Sequence, residues 1–475
     1  MSSSIKHYGR IYTPDYLVKR MLDFGNYRFG ATQCRHVIDN SCGNGAFLTE
    51  IVRRYIVEFL ERSNNLKLLQ SELETFVHGV EIDRDEYAKC LHNLDKTAAE
   101  YGLSNVRWDI INADALTLRQ FDNKMDFVFG NPPYVRVHNL SDNYNSVKMY
   151  EFAEKGMTDL FIVFFEIGFN MLSEQGTMVL ITPSSWLSSK AGGKLRNYIM
   201  RKNNLSGVID LGHFQPFNAA TYTLISRFQP TETFDKIDYY TFDSNELKEK
   251  FQTSLSLKQI DINGEFYLGS ESTLLQLKEI KANHENQYVQ VKNGFATLSD
   301  KVFIGDFDFS EGTIDILKAS TAKWSKCIFP YNEQGLALSE EEFGKKTSAY
   351  QYLSEYRAVL STKQKDGNSK WYVFGRTQAL KDVNKDKIAV NTIIKDIDSI
   401  KLTFVSEGKG VYSGLYILTN ESFDTIQQIL LSEDFVSYIQ SLRKYKSSGY
   451  YTFSSKDLEQ YLNYKICTKN KYYAN

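Results

Sequence analysis

Apolar positions recur at intervals of three and four, then of two, from near the start of the chain to about Phe228. Leu17, Val18, Met21 and Leu22 share one helical face. Thr13-Pro14-Asp15 ahead of them predicts the helix start, with Thr13 as cap and Pro14 in the first helical position. Short apolar runs at 36–39, 76–80, 106–112 and 125–129 predict strands. Amphipathic stretches at 47–61 and 85–101 predict the helices between them, and residues 63–75 read as a polar insertion. The alternation resumes with helix 160–172, turn 173–176, strand 177–182, helix 190–202, strand 205–211 and a β segment at 221–228. Such alternation predicts a doubly wound α/β sheet.

Beyond Phe228 the pattern changes to short aromatic strands, Lys-rich turns and helices near 270–282 and 421–444. Pro230-Thr-Glu-Thr reads as a linker, so two domains are expected: 1–240, α/β, and 245–475, α+β. A length of 475 residues agrees, being long for one core. The polar stretch 135–158 is too long for a plain connection and predicts either a mobile functional loop or local disorder.

Net charge is −2, so any nucleic-acid partner requires a local basic face on a near-neutral chain. Tyr and Phe at 31 each exceed what one core requires and permit stacking surfaces. The five cysteines are scattered without a CxxC pair and the seven histidines have no HExxH spacing, which predicts neither disulfides nor a metal site. No run of 18 apolar residues occurs and the first ten residues lack an apolar core, which predicts a cytoplasmic protein with no membrane partner.

The candidate chemistry gathers at strand ends. Asp39-Asn-Ser-Cys-Gly43-Asn-Gly45 follows the first strand as a glycine loop, although Leu48 in the third glycine position disfavours a pyrophosphate cofactor. Asp39 is placed to face a cationic group. Glu81, beside Ile82, ends the second strand where a ribose diol would be held. Asp114, beside Ala115, follows the third and is placed to accept from an adenine amino group. The fourth strand ends in Asn131-Pro132-Pro133-Tyr134. Two prolines make that exit stiff and fix the Asn131 carboxamide, the Pro132 carbonyl and the Tyr134 ring. Two acceptors beside an aromatic face suit a planar ring carrying an exocyclic amino group.

As an ordered set, TPDYLVKRM, DNSCGNGAF, VEID, NADAL, DFVFGNPPY and FNAATYTLISRF resemble the gamma class of N6-adenine DNA methyltransferases, over about residues 8–228. Asn40 departs from the Pro of many relatives. The C-terminal half matches loosely through VKNGFATLSDKVFI, KDKIAVNTI and KYKSSGYYTFSSKDLEQYL. The resemblance implies a methyltransferase domain using S-adenosyl-L-methionine (AdoMet), followed by a target-recognition domain. It implies that Thr13, Asp39 and the Gly43/Gly45 loop shape the AdoMet pocket, that Glu81 binds its ribose hydroxyls and that Asp114 contacts its adenine, with Ile82, Ala115 and Asn131 as further cofactor-binding residues. Asn131 and Pro132 would accept from the target amino group, with Tyr134 and Phe217 as the platform for a flipped base; Phe214 lies three residues away. Double-stranded DNA and a cognate restriction endonuclease are the implied partners. Lys363, Lys365, Arg376, Arg443, Lys444 and Lys446 are candidates for phosphate contacts. A methyltransferase acting on RNA or protein glutamine, or a non-catalytic DNA-binding relative, are the alternative readings.

Overall fold

The computed structural model describes residues 11–137, 144–153, 158–217, 221–229, 236–282, 287–362 and 370–474. It divides into two compact units, Met1–Leu275 and Gln276–Asn475.

The first unit is built on nine strands: β1 (Val37–Asp39), β2 (Val77–Glu81), β3 (Asp109–Asn112), β4 (Met125–Gly130), β5 (Leu172–Pro183), β6 (Leu205–Asp210), β7 (Thr223–Phe228), β8 (Ile237–Asp243) and β9 (Lys248–Leu255). Their order in the sheet is β3-β2-β1-β4-β5-β7-β6-β8-β9. β1 to β5 are mutually parallel, and β7 runs antiparallel between β5 and β6. This is the doubly wound α/β architecture that the alternation predicts. β1 and β6 are buried along their whole length, as expected where both faces of a sheet are covered. The chain runs outward from β1 to β3, then returns to place β4 on β1's other side. The carboxyl ends of β1 and β4 therefore form a topological switch point, where α/β sheets bind ligands.

The helices follow the apolar spacing closely: α1 (Asp15–Phe24), α2 (Ala46–Leu60), α3 (Leu66–Phe76), α4 (Arg84–Ala99), α5 (Leu160–Met171) and α6 (Gly193–Lys202). Three details differ from expectation. Residues 63–75 are largely a helix, α3, capped by the Asn65 side chain and buried through Leu69 and Leu73. Leu172–Pro183 is one strand, because residues 173–176 form a bulge opposite β4 where Met125 pairs Leu172 and Phe127 pairs Thr177. Gly176 permits it, since a Cβ there would lie 2.6 Å from the Met125 carbonyl oxygen. The sheet also continues through β8 and β9, so the first unit ends at Leu275 rather than near 240.

The second unit is α+β. Val289–Asn293, Leu415–Thr419, Lys387–Val390 and Leu402–Val405 form an antiparallel sheet in that order. Ile304–Gly305, Lys323–Ile328, Thr313–Lys318 and Gly410–Tyr412 form a second, mixed one. The expected helix at 421–444 is two, Phe423–Leu430 and Glu433–Ser441, because Ser432 accepts from Phe435 N and starts a new helix. A last helix, Ser455–Ala474, was not legible in the pattern. Of the basic candidates, Lys363 and Lys365 lie outside the described residues, and Lys444 is paired with buried Asp457 at 2.6 Å. Among the described residues no helix is long and apolar enough to cross a membrane.

Candidate active site

The expected site residues of the first four strands are brought to one edge of the sheet. At the switch point, Gly130 makes room for Asp39: a Cβ at Gly130 would lie 3.0 Å from Asp39 Oδ1. Asp39 is buried, and its Oδ1 accepts from Ser41 N at 3.0 Å. Burial pushes its carboxyl up to about 7, against the Ser41 bond, with the nearby Glu81 charge adding to the rise. Such a group is only partly ionised near neutral pH and shifts toward the anion beside a cation.

Glu81 laces the loops after β1 and β2 together. Its Oε2 accepts from Gly43 N at 2.8 Å and its Oε1 from Asp83 N at 2.7 Å. Burial raises its carboxyl, those two bonds oppose the rise, and the Asp83 and Glu86 charges add to it. The Glu81 carbonyl in turn accepts from Ala113 N at 3.1 Å and Asn112 Nδ2 at 2.8 Å, which fixes the turn after β3. Asp114 Oδ1 in that turn accepts from Leu116 N at 3.0 Å; Ala115 is buried, while Ile82 is 46% exposed. The site edge thus combines fixed carboxylates with one uncovered aliphatic side chain.

The two glycines have different reasons. Gly43 has φ +52° with nothing near a Cβ, so its loop stays open. Gly45 has φ +86°, and a Cβ there would lie 2.9 Å from Cys90 Sγ, so it permits close packing of the loop on α4.

At the end of β4, Asn131 Nδ2 donates to Thr13 Oγ1 at 3.2 Å and to the Ile11 carbonyl at 3.3 Å. Its Oδ1 is buried and accepts no hydrogen bond among the described residues. Thr13 is buried but does not cap α1; that position is taken by Pro14, without a side-chain bond. Pro132 is buried beside Asn131. The Tyr134 hydroxyl donates to the Ile181 carbonyl of β5 at 3.1 Å, and burial raises its pKa, so the phenol stays neutral. Its ring meets Phe161 and Phe217 edge to face, with centroids 6.2 and 6.3 Å apart. Phe214 instead stacks on Phe242 of β8 at 5.2 Å.

Supporting residues the sequence did not reveal are Ile11, Ser41, Phe161 and Ile181, together with Tyr12, whose hydroxyl donates to Glu86 at 3.0 Å. Apart from Ser41, whose partner Asp39 is two residues away, their roles depend on partners far along the chain. Among the described residues, no three His, Cys, Asp or Glu side chains converge as a metal site.

Residues 51–217 match the family model of the Eco57I restriction-modification methylase. The resemblance read from the motifs is borne out. Over that stretch the chain is similar to the restriction-modification methylases. It is 25% identical over 423 residues to the type II methyltransferase M.BstVI of Geobacillus stearothermophilus, covering 78% of this chain and 74% of that protein. It is 22% identical over 503 residues to the type II restriction enzyme and methyltransferase RM.Eco57I of Escherichia coli, covering 83% of this chain and half of that one. The fold is similar to that of the type IIL restriction-modification enzyme MmeI, solved in complex with DNA: TM-score 0.62, 13% identity, 93% of this chain and 63% of that one. The family match begins inside α2, so Thr13, Asp39, Gly43 and Gly45 lie before it and stand on the geometry above.

Proposed function

We propose that this chain is a DNA methyltransferase that transfers the methyl group of AdoMet to the exocyclic N6 of an adenine turned out of the duplex. The observation that carries the reading is the buried Oδ1 of Asn131, an acceptor without a partner among the described residues, in the stretch that ends in the Tyr134 ring.

The residues suit AdoMet. Glu81, held by two backbone N–H groups, keeps acceptor capacity for a ribose diol. Ile82 offers aliphatic surface to an adenine ring and Asp114 an acceptor to its amino group. Asp39, its carboxyl raised by burial, would be held as the anion beside a positively charged cofactor. When bound, AdoMet supplies an electrophilic methyl group.

The rest is done by Asn131, Pro132 and Tyr134. The lone pair of an adenine amino group is delocalised into its ring, so the nitrogen is a weak nucleophile. Asn131 Oδ1 and the Pro132 carbonyl accept its two N–H bonds, which favours a more tetrahedral nitrogen with its lone pair available. The Tyr134 ring, tethered through Ile181, holds the base plane, and fixed orientation lowers the barrier further. A base inside a duplex cannot reach such a site and must flip. Kinship with the restriction-modification methylases supports double-stranded DNA as substrate and a cognate restriction endonuclease as functional partner. The second unit would then read the target sequence.

The test is sequencing of modified bases in DNA from cells expressing the parent or Asn131→Ala. N6-methyladenine at one sequence motif, absent with the variant, is the expected result. Methylation confined to cytosine, or none, overturns the assignment.

A further inference from the structure

A carboxamide has two ends of nearly equal size, and only one of them can accept a hydrogen bond. The Asn131 amide is held so that the choice is made before a substrate arrives. Both acceptors around Nδ2 come from the segment ahead of α1: the Ile11 carbonyl at 3.3 Å and Thr13 Oγ1 at 3.2 Å. A backbone carbonyl only accepts, so a reversed amide would set Oδ1 against the Ile11 oxygen and leave the contact repulsive. Reversal would also present N–H donors where the acceptor now lies, opposing an incoming amino group. Thr13 is 5% exposed, and its hydroxyl has no capping role in the helix that follows.

We infer that the Ile11 carbonyl sets the sense of the Asn131 amide and that Thr13, whose hydroxyl is the second anchor of Nδ2, is a positioning residue, a lock that keeps Oδ1 turned toward the substrate amino group. The inference rests on the proposed acceptor role of Asn131 and gives Thr13 a task distinct from shaping the cofactor pocket. It also accounts for a buried Thr in a position whose hydroxyl the helix does not use.

The experiment compares Thr13→Val, Thr13→Ala and Thr13→Ser with the parent in the full chain. Turnover is measured with tritiated AdoMet on unmethylated bacterial genomic DNA, and AdoMet affinity by calorimetry. Val and Ala are expected to lower kcat about tenfold, the scale of one hydrogen bond, with the AdoMet Kd within about twofold of the parent. Ser restores the hydroxyl and most of the rate. Should Val fail to fold, the Ala and Ser pair still differs at that oxygen alone. Unchanged kcat in Val or Ala overturns the lock. So does a loss confined to AdoMet affinity with kcat intact, which would make Thr13 a cofactor contact. Asn131→Ala run in parallel separates the two readings. If it is inactive while Thr13→Ala turns over normally, the lock alone fails. If Asn131→Ala keeps the parent rate, the acceptor role fails and the lock with it.

Discussion

Gly43 N donates to Glu81 Oε2 at 2.8 Å, so the residue expected to hold a ribose also holds the glycine loop of the neighbouring strand in shape. With Asp83 N on Oε1 at 2.7 Å, both carboxylate oxygens are aimed before any ligand binds. Glu81→Ala removes a ligand and a loop anchor together. AdoMet affinity is expected to fall by about 1–3 kcal/mol, the range for losing a charged hydrogen-bond partner. Glu81→Gln keeps one acceptor oxygen and should lose less. Calorimetric titration showing parent affinity in both variants would remove Glu81 from the cofactor site.

Asp39 gives a pH-dependent prediction. Burial, above all, pushes its carboxyl in the folded chain up to about 7 from the ordinary 3.8. Between those values the unfolded chain has released a proton that the folded one retains. Stability therefore falls as pH rises from about 4 to 7 and levels off above. Asp39→Asn removes that penalty, while its oxygen can still accept from Ser41 N. Urea unfolding should show a larger stabilisation by Asp39→Asn at pH 8 than at pH 5, with AdoMet affinity reduced at pH 8. Equal stabilisation at both pH values would mean that Asp39 does not titrate in this window.

The two loop glycines separate packing from openness. Ala at Gly45 meets both a left-handed backbone and Cys90 Sγ at 2.9 Å, whereas Ala at Gly43 meets only the backbone strain. Left-handed strain costs roughly 1–2 kcal/mol and overpacking about 1–3 more. Denaturant unfolding should rank Gly45→Ala well below Gly43→Ala, and adding Cys90→Ala should return part of the Gly45 loss. Equal stability of the two single variants contradicts the packing role.

The strand ends were legible because their chemistry is local: an apolar run closing in Asp, Glu or Asn, with a glycine loop after β1 and two prolines after β4. What was missed depends on distant partners or on ambiguous spacing. Leu69 and Leu73 bury one face of α3, but they sit among polar neighbours that read as a loop. β8 and β9 are rich in Tyr, Phe, Thr and charge, and their place in the sheet is fixed only by pairing with β6 and with each other. The Thr13 hydroxyl fits the sequence rule for a helix cap, yet its partner is Asn131, 118 residues away. Chain order favours Phe217 over Phe214 by its nearness to the last β segment, but the neighbours that separate their roles are not visible in the sequence.

Those neighbours shape the last prediction. The Tyr134 and Phe217 centroids are 6.3 Å apart with planes at 73°, so the rings form a corner and not the parallel walls of a slot. A base between parallel rings would need about 7 Å, twice a carbon contact distance. On the proposed reading one ring would stack and the other support it: Tyr134 is half-buried and tethered to Ile181, while Phe217 is 7% exposed and meets its ring edge to face. Flipping costs a few kcal/mol, and a base–aromatic stack returns about 1–3. Tyr134→Ala should therefore shift the extrusion equilibrium most, with Phe217→Ala lowering turnover less by freeing the Tyr134 ring. Phosphate contacts should keep DNA affinity within about tenfold in both. Phe214→Ala, which loses its stack on Phe242, should reduce stability and leave turnover of the folded protein near the parent. The readout is 2-aminopurine at the target adenine, alongside methylation rates and unfolding curves for the three variants. Impaired extrusion in Phe214→Ala with Phe217→Ala unaffected would move the second aromatic role by three residues. Parent-like extrusion in Tyr134→Ala would mean that the base rests on neither ring.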